Sequence, residues 1–300
     1  MKLALSASAV LLTAGLAWAA PTIDGQNIPS EFPPAVVTQD TNTQFGDNFN
    51  EMNQMFVDSD ADNIYIAITG NLADNNAIVL WIDTTPTTGS NVVASDPGGA
   101  CPGDIPTLIR MYSGTTMEPG FSPNYALLVS VGSFPGQGFD HLVMACDLTD
   151  LDSMTNTPLG LGILDSGSGV LSLTDSTGVE IALDNSNTGG VGDYNDSAFP
   201  GDTGNDPTDA VTGLEISIPR SALGLTGPTP QNVGLFAFLT NNAQGGGDGP
   251  CFREGYASNQ GLPGITGWGN LASFCPTCAF QLDFEAAPNT NFVLVTIPGI

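Results

Sequence analysis

The stretch DSDADN could do chemistry, because it places carboxylates at alternate positions, Asp58, Asp60 and Asp62. Calcium takes about six to eight oxygen ligands, and alternate aspartates in one loop can supply several of them. The stretch is not an EF-hand loop, because Asn63 and Thr69 stand where that motif needs Gly and Glu. Asp and Asn also stabilise tight turns before a strand. The sequence therefore leaves two interpretations open, a calcium site and the turn of a β-hairpin.

A second acidic set lies in segment 184–211, which is rich in Gly, Asn and Asp and has no apolar periodicity. Carboxylates this close in sequence repel one another unless water or a cation separates them. If calcium binds anywhere, this segment is the better candidate, and the alternative is a solvated acidic loop. The aspartates of the set are Asp184, Asp193, Asp196, Asp202, Asp206 and Asp209.

Sugar binding usually needs an aromatic face and a few amide or carboxylate hydrogen bonds. Trp268 stands between glycines in ITGWGNL, and Asn259 and Gln260 precede it in SNQG. Tyr194 is a further aromatic residue in a loop. These four residues predict a site for a polysaccharide or cell-surface glycan, and the alternative for Trp268 is packing over the edge of the fold. Trp81 lies in the continuous apolar run AIVLWIDT and is predicted to be buried.

The residue types give little support to catalysis. His141 is the only histidine, so a catalytic triad or a multi-histidine metal centre would have to be built on one residue of the strand-like DHLVMAC. Because the chain has many aspartates, a glycoside hydrolase with paired catalytic carboxylates stays a further hypothesis, after a binding module and a structural component. No Glu stands in a recognisable acid/base context, so we expect a protein that is not an enzyme.

The five cysteines allow at most two intramolecular disulfides. We expect the CPTC pair, Cys275 and Cys278, to take part in a structural disulfide. The alternative is a redox or zinc site, which the absence of a second CxxC and the single histidine make less favourable. The remaining cysteines are Cys101, Cys146 and Cys251.

The chain begins MKLALSASAVLLTAGLAWAA, with one Lys, an apolar core too short to span a bilayer and small residues at Ala17 and Ala19. This pattern predicts a signal peptide over residues 1–19 and a mature domain over residues 20–300. No later stretch is long and apolar enough for a membrane span. We therefore expect a secreted protein, extracellular or at the cell surface, without membrane insertion.

The formal net charge is −27, from 31 acidic residues against four Lys and Arg. A polyanion would be repelled by such a chain, and no basic patch exists to release its counterions, so nucleic acid is excluded as a partner. Asp outnumbers Glu by 24 to 7 and lies mostly in Gly- and Asn-rich stretches, which places the carboxylates in turns. This distribution suits a high-salt or calcium-containing exterior.

Short apolar runs bounded by Gly, Pro, Asn or Asp predict strands, and no stretch predicts an amphipathic helix of three turns. They predict an all-β fold, a single-domain antiparallel β-sandwich, jelly-roll-like, with long acidic loops. Segments 184–211 and 241–270 are the predicted loops, and Ser221–Leu223 is the predicted helical turn. The runs are NIYIAITGNL, AIVLWIDT, TLIRMY, YALLVSVG, HLVMACDL, GVLSLT, GVEIAL, GLEISIP, NVGLFAFL, CAFQLDF and FVLVTIP.

Several stretches from Ile23 to about Pro298 resemble a group of secreted planctomycete-type proteins, which are in turn similar to carbohydrate-binding module family nine and DOMON-like domains. The blocks DNSNTGGV and SNQGLPG are the most specific. Members often end in a Pro-Glu-Pro sorting signal, whereas FVLVTIP is followed here only by Gly299 and Ile300, so we expect a released protein or a trimmed sequence. The stretches are TQFGDNFNEMNQMFV, NIYIAITGNL, WIDTTPTTGSN, MEPGFSPNYALLVSV, GVEIALDNSNTGGV, TGLEISIPRSALGL and YASNQGLPG.

The resemblance implies a β-sandwich and a carbohydrate-binding-like or surface-matrix module, which we expect to carry structural calcium. The DOMON-like likeness also raises haem ligation, with His141 and either Met144 or Met111 as candidates. The alternative from another class is a purely structural component of an envelope or extracellular matrix, with no discrete ligand.

Overall fold

The strands form two antiparallel sheets in the computed structural model, which confirms the predicted all-β sandwich. The structure describes residues 19–39, 50–72, 76–86, 115–133, 142–151, 155–164, 168–172, 178–187, 206–241, 255–263, 271–274 and 292–300. The strands are β1 (Val37–Thr38), β2 (Glu51–Ser59), β3 (Asn63–Asn71), β4 (Asn76–Asp83), β5 (Tyr125–Ser133), β6 (Leu142–Asp150), β7 (Thr155–Leu164), β8 (Ser168–Ser172), β9 (Glu180–Asp184), β10 (Gly213–Pro219), β11 (Gln231–Asn241), β12 (Gly255–Leu262), β13 (Leu271–Phe274) and β14 (Val293–Ile297). Among the described residues, helical turns are confined to α1 (Ile28–Glu31) and the 3-10 turns Pro207–Asp209 and Arg220–Leu223.

In the six-stranded sheet the strands stand in the order β1-β2-β3-β10-β9-β8. In the eight-stranded sheet the order is β13-β12-β11-β4-β5-β6-β7, and β14 also pairs with β11. The long strand β11 thus serves two partners along one edge: its beginning pairs with β14 and its later part with β12. Its other edge pairs with β4.

Alternate side chains of the strands fill the space between the sheets. Ile64, Ile66 and Ile68 of β3 point into this core, because successive side chains of a strand point to opposite faces. Ile216 of β10 stands beside Ile66 on one neighbour and Ile181 on the other, and all three are buried. Burial of such branched side chains is the main force that holds the two sheets together.

The outer face of the eight-stranded sheet carries a cluster of aromatic side chains. Trp81 and Phe238 stack with ring centroids 6.5 Å apart, and Phe236 lies 5.8 Å from Phe238. The predicted burial of Trp81 is confirmed, but its neighbours in β4 point into the inter-sheet core, so Trp81 belongs to the opposite face. Sequence alone could not assign the face, because the residues from Ala77 to Ile82 are all apolar and show no alternation.

Residues 21–36, here called the N-terminal strap, cross the outer face of the six-stranded sheet. The strap contains α1 and ends where the Val36 amide donates to the Met55 carbonyl at 2.8 Å. Its apolar side chains pack on outward-facing residues of β2 and β3, and the Phe32 and Phe56 rings lie 6.2 Å apart. This cluster consists of Ile28, Phe32, Phe56, Tyr65 and Ala67.

Nine of the eleven predicted runs are strands, and TLIRMY and CAFQLDF lie outside the described residues. The predicted helical turn at Ser221–Leu223 is confirmed by the 3-10 turn that contains it. The loop predicted over 241–270 is wrong for β12, because pairing with β11 and β13 holds this Gly- and Asn-containing segment extended despite its weak strand propensity. Among the residues that the structure describes, no helix is long and apolar enough to cross a membrane.

Replacing Ile216, which is fully buried between the sheets, should leave a cavity. We expect Ile216→Ala to lower the free energy of unfolding by about 2–5 kcal/mol. The control Leu294→Ala removes a side chain that is 53% exposed and should change it by less than about 0.5 kcal/mol. Urea unfolding followed by circular dichroism measures both, and equal unfolding midpoints for the two variants would contradict this description of the core.

Candidate functional site

The turn between β2 and β3 is organised by one carboxylate of the DSDADN triplet. Oδ1 of Asp60 accepts hydrogen bonds from the backbone N–H groups of Asp62 and Asn63, both at 2.8 Å. Oδ2 of Asp60 accepts a hydrogen bond from the Tyr65 hydroxyl at 2.6 Å. Such side-chain-to-backbone bonds are the reason why Asp is favoured in turns. The turn interpretation therefore accounts for Asp60.

The same contacts shift two pKa values in opposite senses. Partial burial opposes ionisation of Asp60, but the hydrogen bonds from Tyr65, Asn63 and Asp62 outweigh it and lower the pKa of the carboxyl. Burial and the bond to Asp60 raise the pKa of Tyr65 to about 12. The Asp60 carboxylate and the neutral Tyr65 hydroxyl thus hold each other in the states that the hydrogen bond requires.

The other two carboxylates of the triplet have different surroundings. Asp58 is half-buried at the end of β2, and its Oδ1 accepts from the Ser59 N–H at 2.8 Å. Burial, together with the nearby Asp60 charge, raises the pKa of Asp58. Asp62 is exposed in the turn. Among the described residues, no three His, Cys, Asp or Glu side chains are arranged to hold a metal ion, and calcium at this triplet stays a prediction.

Arg220 ties the acidic turn to the end of the chain. This buried guanidinium donates through Nη1 to the Asp60 carbonyl at 2.9 Å, through Nε to the Leu225 carbonyl at 3.1 Å, and through Nη2 to the Pro298 carbonyl. Its backbone N–H donates to the Asp62 carbonyl at 2.9 Å. Sequence reasoning did not single out Arg220. The sequence feature that could have pointed to Arg220 is the rarity of its residue type, since it is one of only three arginines in the chain.

The beginning of the second acidic set joins the ends of β9 and β3. The Asn185 side chain accepts from the Leu72 N–H and donates to the Leu72 carbonyl, each at 2.9 Å, and so imitates a strand partner. Asp184 is buried, and its Oδ1 accepts from the Ser186 N–H at 2.8 Å. Both residues belong to the DNSNTGGV block, whose first residues therefore have a structural role.

At the other end of this acidic segment, Asp206 caps a 3-10 turn. Its Oδ1 accepts from the Thr208 N–H at 2.9 Å and from the Thr208 hydroxyl at 2.7 Å, and these two bonds lower its pKa. The remaining candidates for calcium and for an aromatic ligand contact lie outside the described residues, so these predictions stand as made. They are Asp193, Asp196, Asp202, Tyr194 and Trp268.

The two amide candidates for ligand binding, Asn259 and Gln260, lie in β12 at an irregularity of its pairing with β11. Thr240 stands opposite Ala257 and Phe238 opposite Gly261, so residues 258–260 stand opposite Leu239 alone. Such bulges are enriched beside functional sites, where they change the direction of side chains. The Gly261 carbonyl next to them accepts from the side chain of buried Gln39 at 2.9 Å, which fixes this part of β12 to the segment after β1.

The structure says less about the cysteine and haem predictions. Cys146 and Met144 lie in β6, and the remaining residues named for these sites lie outside the described part of the chain. They are Cys101, Cys251, Cys275, Cys278, His141 and Met111. The disulfide and haem predictions therefore stay predictions.

Comparison with protein-family models, with curated proteins and with solved structures found no match to this chain.

Replacing Asp60 by Ala should remove three hydrogen bonds at once. We expect Asp60→Ala to lower the free energy of unfolding by about 1–3 kcal/mol at neutral pH, because two turn amides and a partly buried hydroxyl lose their acceptor. The matched change Asp62→Ala, in the same turn but at an exposed side chain, should shift it by less than about 0.5 kcal/mol.

The effect of Asp60→Ala should also depend on pH. The lowered pKa means that this carboxylate stabilises the fold above pH 3.8, its ordinary pKa, and that the stabilisation is lost as pH falls below this value. Chemical denaturation at a series of pH values measures the difference between wild type and variant. A difference that stays constant from neutral to strongly acid pH would show that the Asp60 charge is irrelevant to the turn.

Proposed function

We propose that this chain is a secreted, non-catalytic module that binds a polysaccharide or a cell-surface glycan, with structural calcium in its acidic loops. The placement of Asn259 and Gln260 in the β12 bulge carries the proposal. Amide side chains can both donate to and accept from sugar hydroxyls. A bulge in a sheet lets consecutive residues leave the regular alternation of faces, and Asn259 and Gln260 are consecutive residues of this bulge.

The surroundings of the bulge supply a rigid support for such a site. β12 is hydrogen bonded to β11 on one side and to β13 on the other, and the adjoining Leu262 is buried in the core. Sites on strands hold their side chains more precisely than sites on loops. Trp268, which follows six residues after Leu262, is the proposed aromatic platform.

The second candidate function is a structural component of an envelope or matrix, and β14 favours it. In the part of the chain that the structure describes, β14 pairs with β11 alone. Its sequence VLVTI is uncharged, and Leu294 is 53% exposed. A strand edge of this kind is a template for pairing with another chain. A matrix protein could use it for assembly without any glycan.

A glycan array probed with the mature protein separates the two candidates. We expect binding to at least one polysaccharide class. Asn259→Ala, Gln260→Ala and Trp268→Ala should each weaken the affinity by roughly tenfold, because each variant loses one or two hydrogen bonds or a stacking contact. Gln26→Ala, at an exposed amide in the N-terminal strap, is the matched control and should bind as wild type. Failure of the native protein to bind any polysaccharide would favour the matrix candidate.

Removal of calcium tests the second part of the proposal. When the free calcium concentration is one hundred times the dissociation constant, one calcium site adds about 2.7 kcal/mol to the free energy of unfolding. Chelation should therefore lower the melting temperature by several degrees. Asp196→Asn or Asp202→Asn should remove part of that difference. Asp60→Asn should have a smaller effect, because an Asn side chain keeps the acceptor for the two turn amides. An unchanged melting temperature in chelator, at ionic strength matched with monovalent salt, would count against calcium.

A further inference from the structure

Glu215 is an ionisable residue in the middle of the otherwise apolar strand β10. Its neighbours Leu214 and Ile216 point into the inter-sheet core, so Glu215 points to the outer face of the six-stranded sheet. In register it stands between Ala67 of β3 and Ala182 of β9. These small side chains leave room above the sheet, and the N-terminal strap lies there and buries Glu215 completely.

The strap is bound to this carboxyl by its backbone. Oε2 of Glu215 accepts from the Asp24 N–H at 2.8 Å and from the Gly25 N–H at 2.6 Å. The Gly213 N–H donates to the Gly25 carbonyl at 3.0 Å. Gly25 has φ +77°, and a Cβ there would lie 2.7 Å from the Asp184 nitrogen. The strap therefore approaches the sheet too closely for any residue but glycine.

The strap covers an apolar part of the sheet. The Ile28 N–H donates to the Val211 carbonyl at 3.0 Å, and Ile28 and Phe32 pack on Phe56 and Tyr65. Phe56 and Tyr65 are only 3% and 5% exposed. Opening of the strap would bring both aromatic side chains into contact with water.

The surroundings of Glu215 disfavour its charge. Burial raises the pKa of the carboxyl to about 7, and the two backbone hydrogen bonds only partly oppose this effect. Oε1 is buried and has no hydrogen-bond partner among the described residues. The charged groups on the described elements around it are all acidic, and none lies on β3. They are Asp24 and Glu31 on the strap, Glu180 and Asp184 on β9, and Asp206 and Asp209 before β10.

We propose that Glu215 is a proton-dependent latch, whose neutral carboxyl holds the N-terminal strap on the six-stranded sheet and whose ionisation loosens the strap and uncovers Phe56 and Tyr65. The folded pKa of about 7 lies above the ordinary value of 4.5, so the closed state binds the proton more tightly than the open one. The stabilisation by the latch is complete below pH 4.5 and is lost as pH rises to about 7. The strap is therefore held most firmly on the six-stranded sheet at acid pH.

Hydrogen exchange of the mature protein, followed by mass spectrometry at pH 5 and pH 8, tests the latch. Protection factors, corrected for the intrinsic exchange rate at each pH, are compared for strap amides and for amides of β4. We expect strap protection to be at least about tenfold lower at pH 8, the effect of a shift of one pKa unit or more, while β4 changes much less. Equal strap protection at both pH values, or an equal loss in strap and β4, would overturn the proposal.

Two variants show whether Glu215 is the group responsible. Glu215→Gln cannot ionise and keeps an oxygen to accept from Asp24 and Gly25, so strap protection in this variant should no longer depend on pH. Glu180→Gln, at an exposed carboxylate of the neighbouring strand, should keep the wild-type pH dependence. A pH dependence that survives in Glu215→Gln would refute the latch. If that variant does not fold, the comparison of protection factors between strap and β4 amides in the wild-type protein still tests the proposal.

Discussion

The scarcity of positive charge is the constraint on which the rest of this structure depends. With four Lys and Arg against 31 acidic residues, few carboxylates can be neutralised by a cation of the same chain. Backbone N–H and hydroxyl groups serve instead. Asp83, fully buried at the end of β4, accepts from the Thr85 and Ser122 amides, and Asp206 accepts from Thr208. Each such bond also fixes the turn that supplies the donor, so the acidity of the chain and the shape of its turns are connected.

This arrangement gives the carboxylates opposite responses to pH. At Asp60 and Asp206 the hydrogen bonds lower the pKa more than burial raises it. Ionisation of these two carboxyl groups therefore favours the fold. Where burial dominates, as at Glu215, the pKa rises, and the fold is favoured by the proton. The difference comes from the depth of burial rather than from a lack of hydrogen bonds, because all three carboxylates accept two or more of them.

The fold class could be predicted because most strands are compact apolar runs with turn residues at their ends, as in NIYIAITGNL. Strands β1, β2, β7, β12 and β13 lacked that pattern. In β2, polar residues such as Glu51 and Asn53 are buried although they interrupt the apolar alternation, and in β12 the pairing with β11 and β13 overrides a composition typical of loops. For the candidate site, the turn role of Asp60 could be predicted from local spacing. The contacts of Arg220 and Glu215 could not, since they join residues 160 and 190 positions apart.

The latch contact also has a consequence for the order of folding. The strap begins two residues after the predicted signal peptide, and its acceptor Glu215 lies 190 residues after Gly25 in the chain. Contacts of such high sequence separation form late, because the intervening chain must be ordered before they can be made. During synthesis the strap cannot complete its hydrogen bonds until β10 has been made. The strap is therefore among the last parts of the chain to reach its native place, and Phe56 and Tyr65 stay uncovered until then.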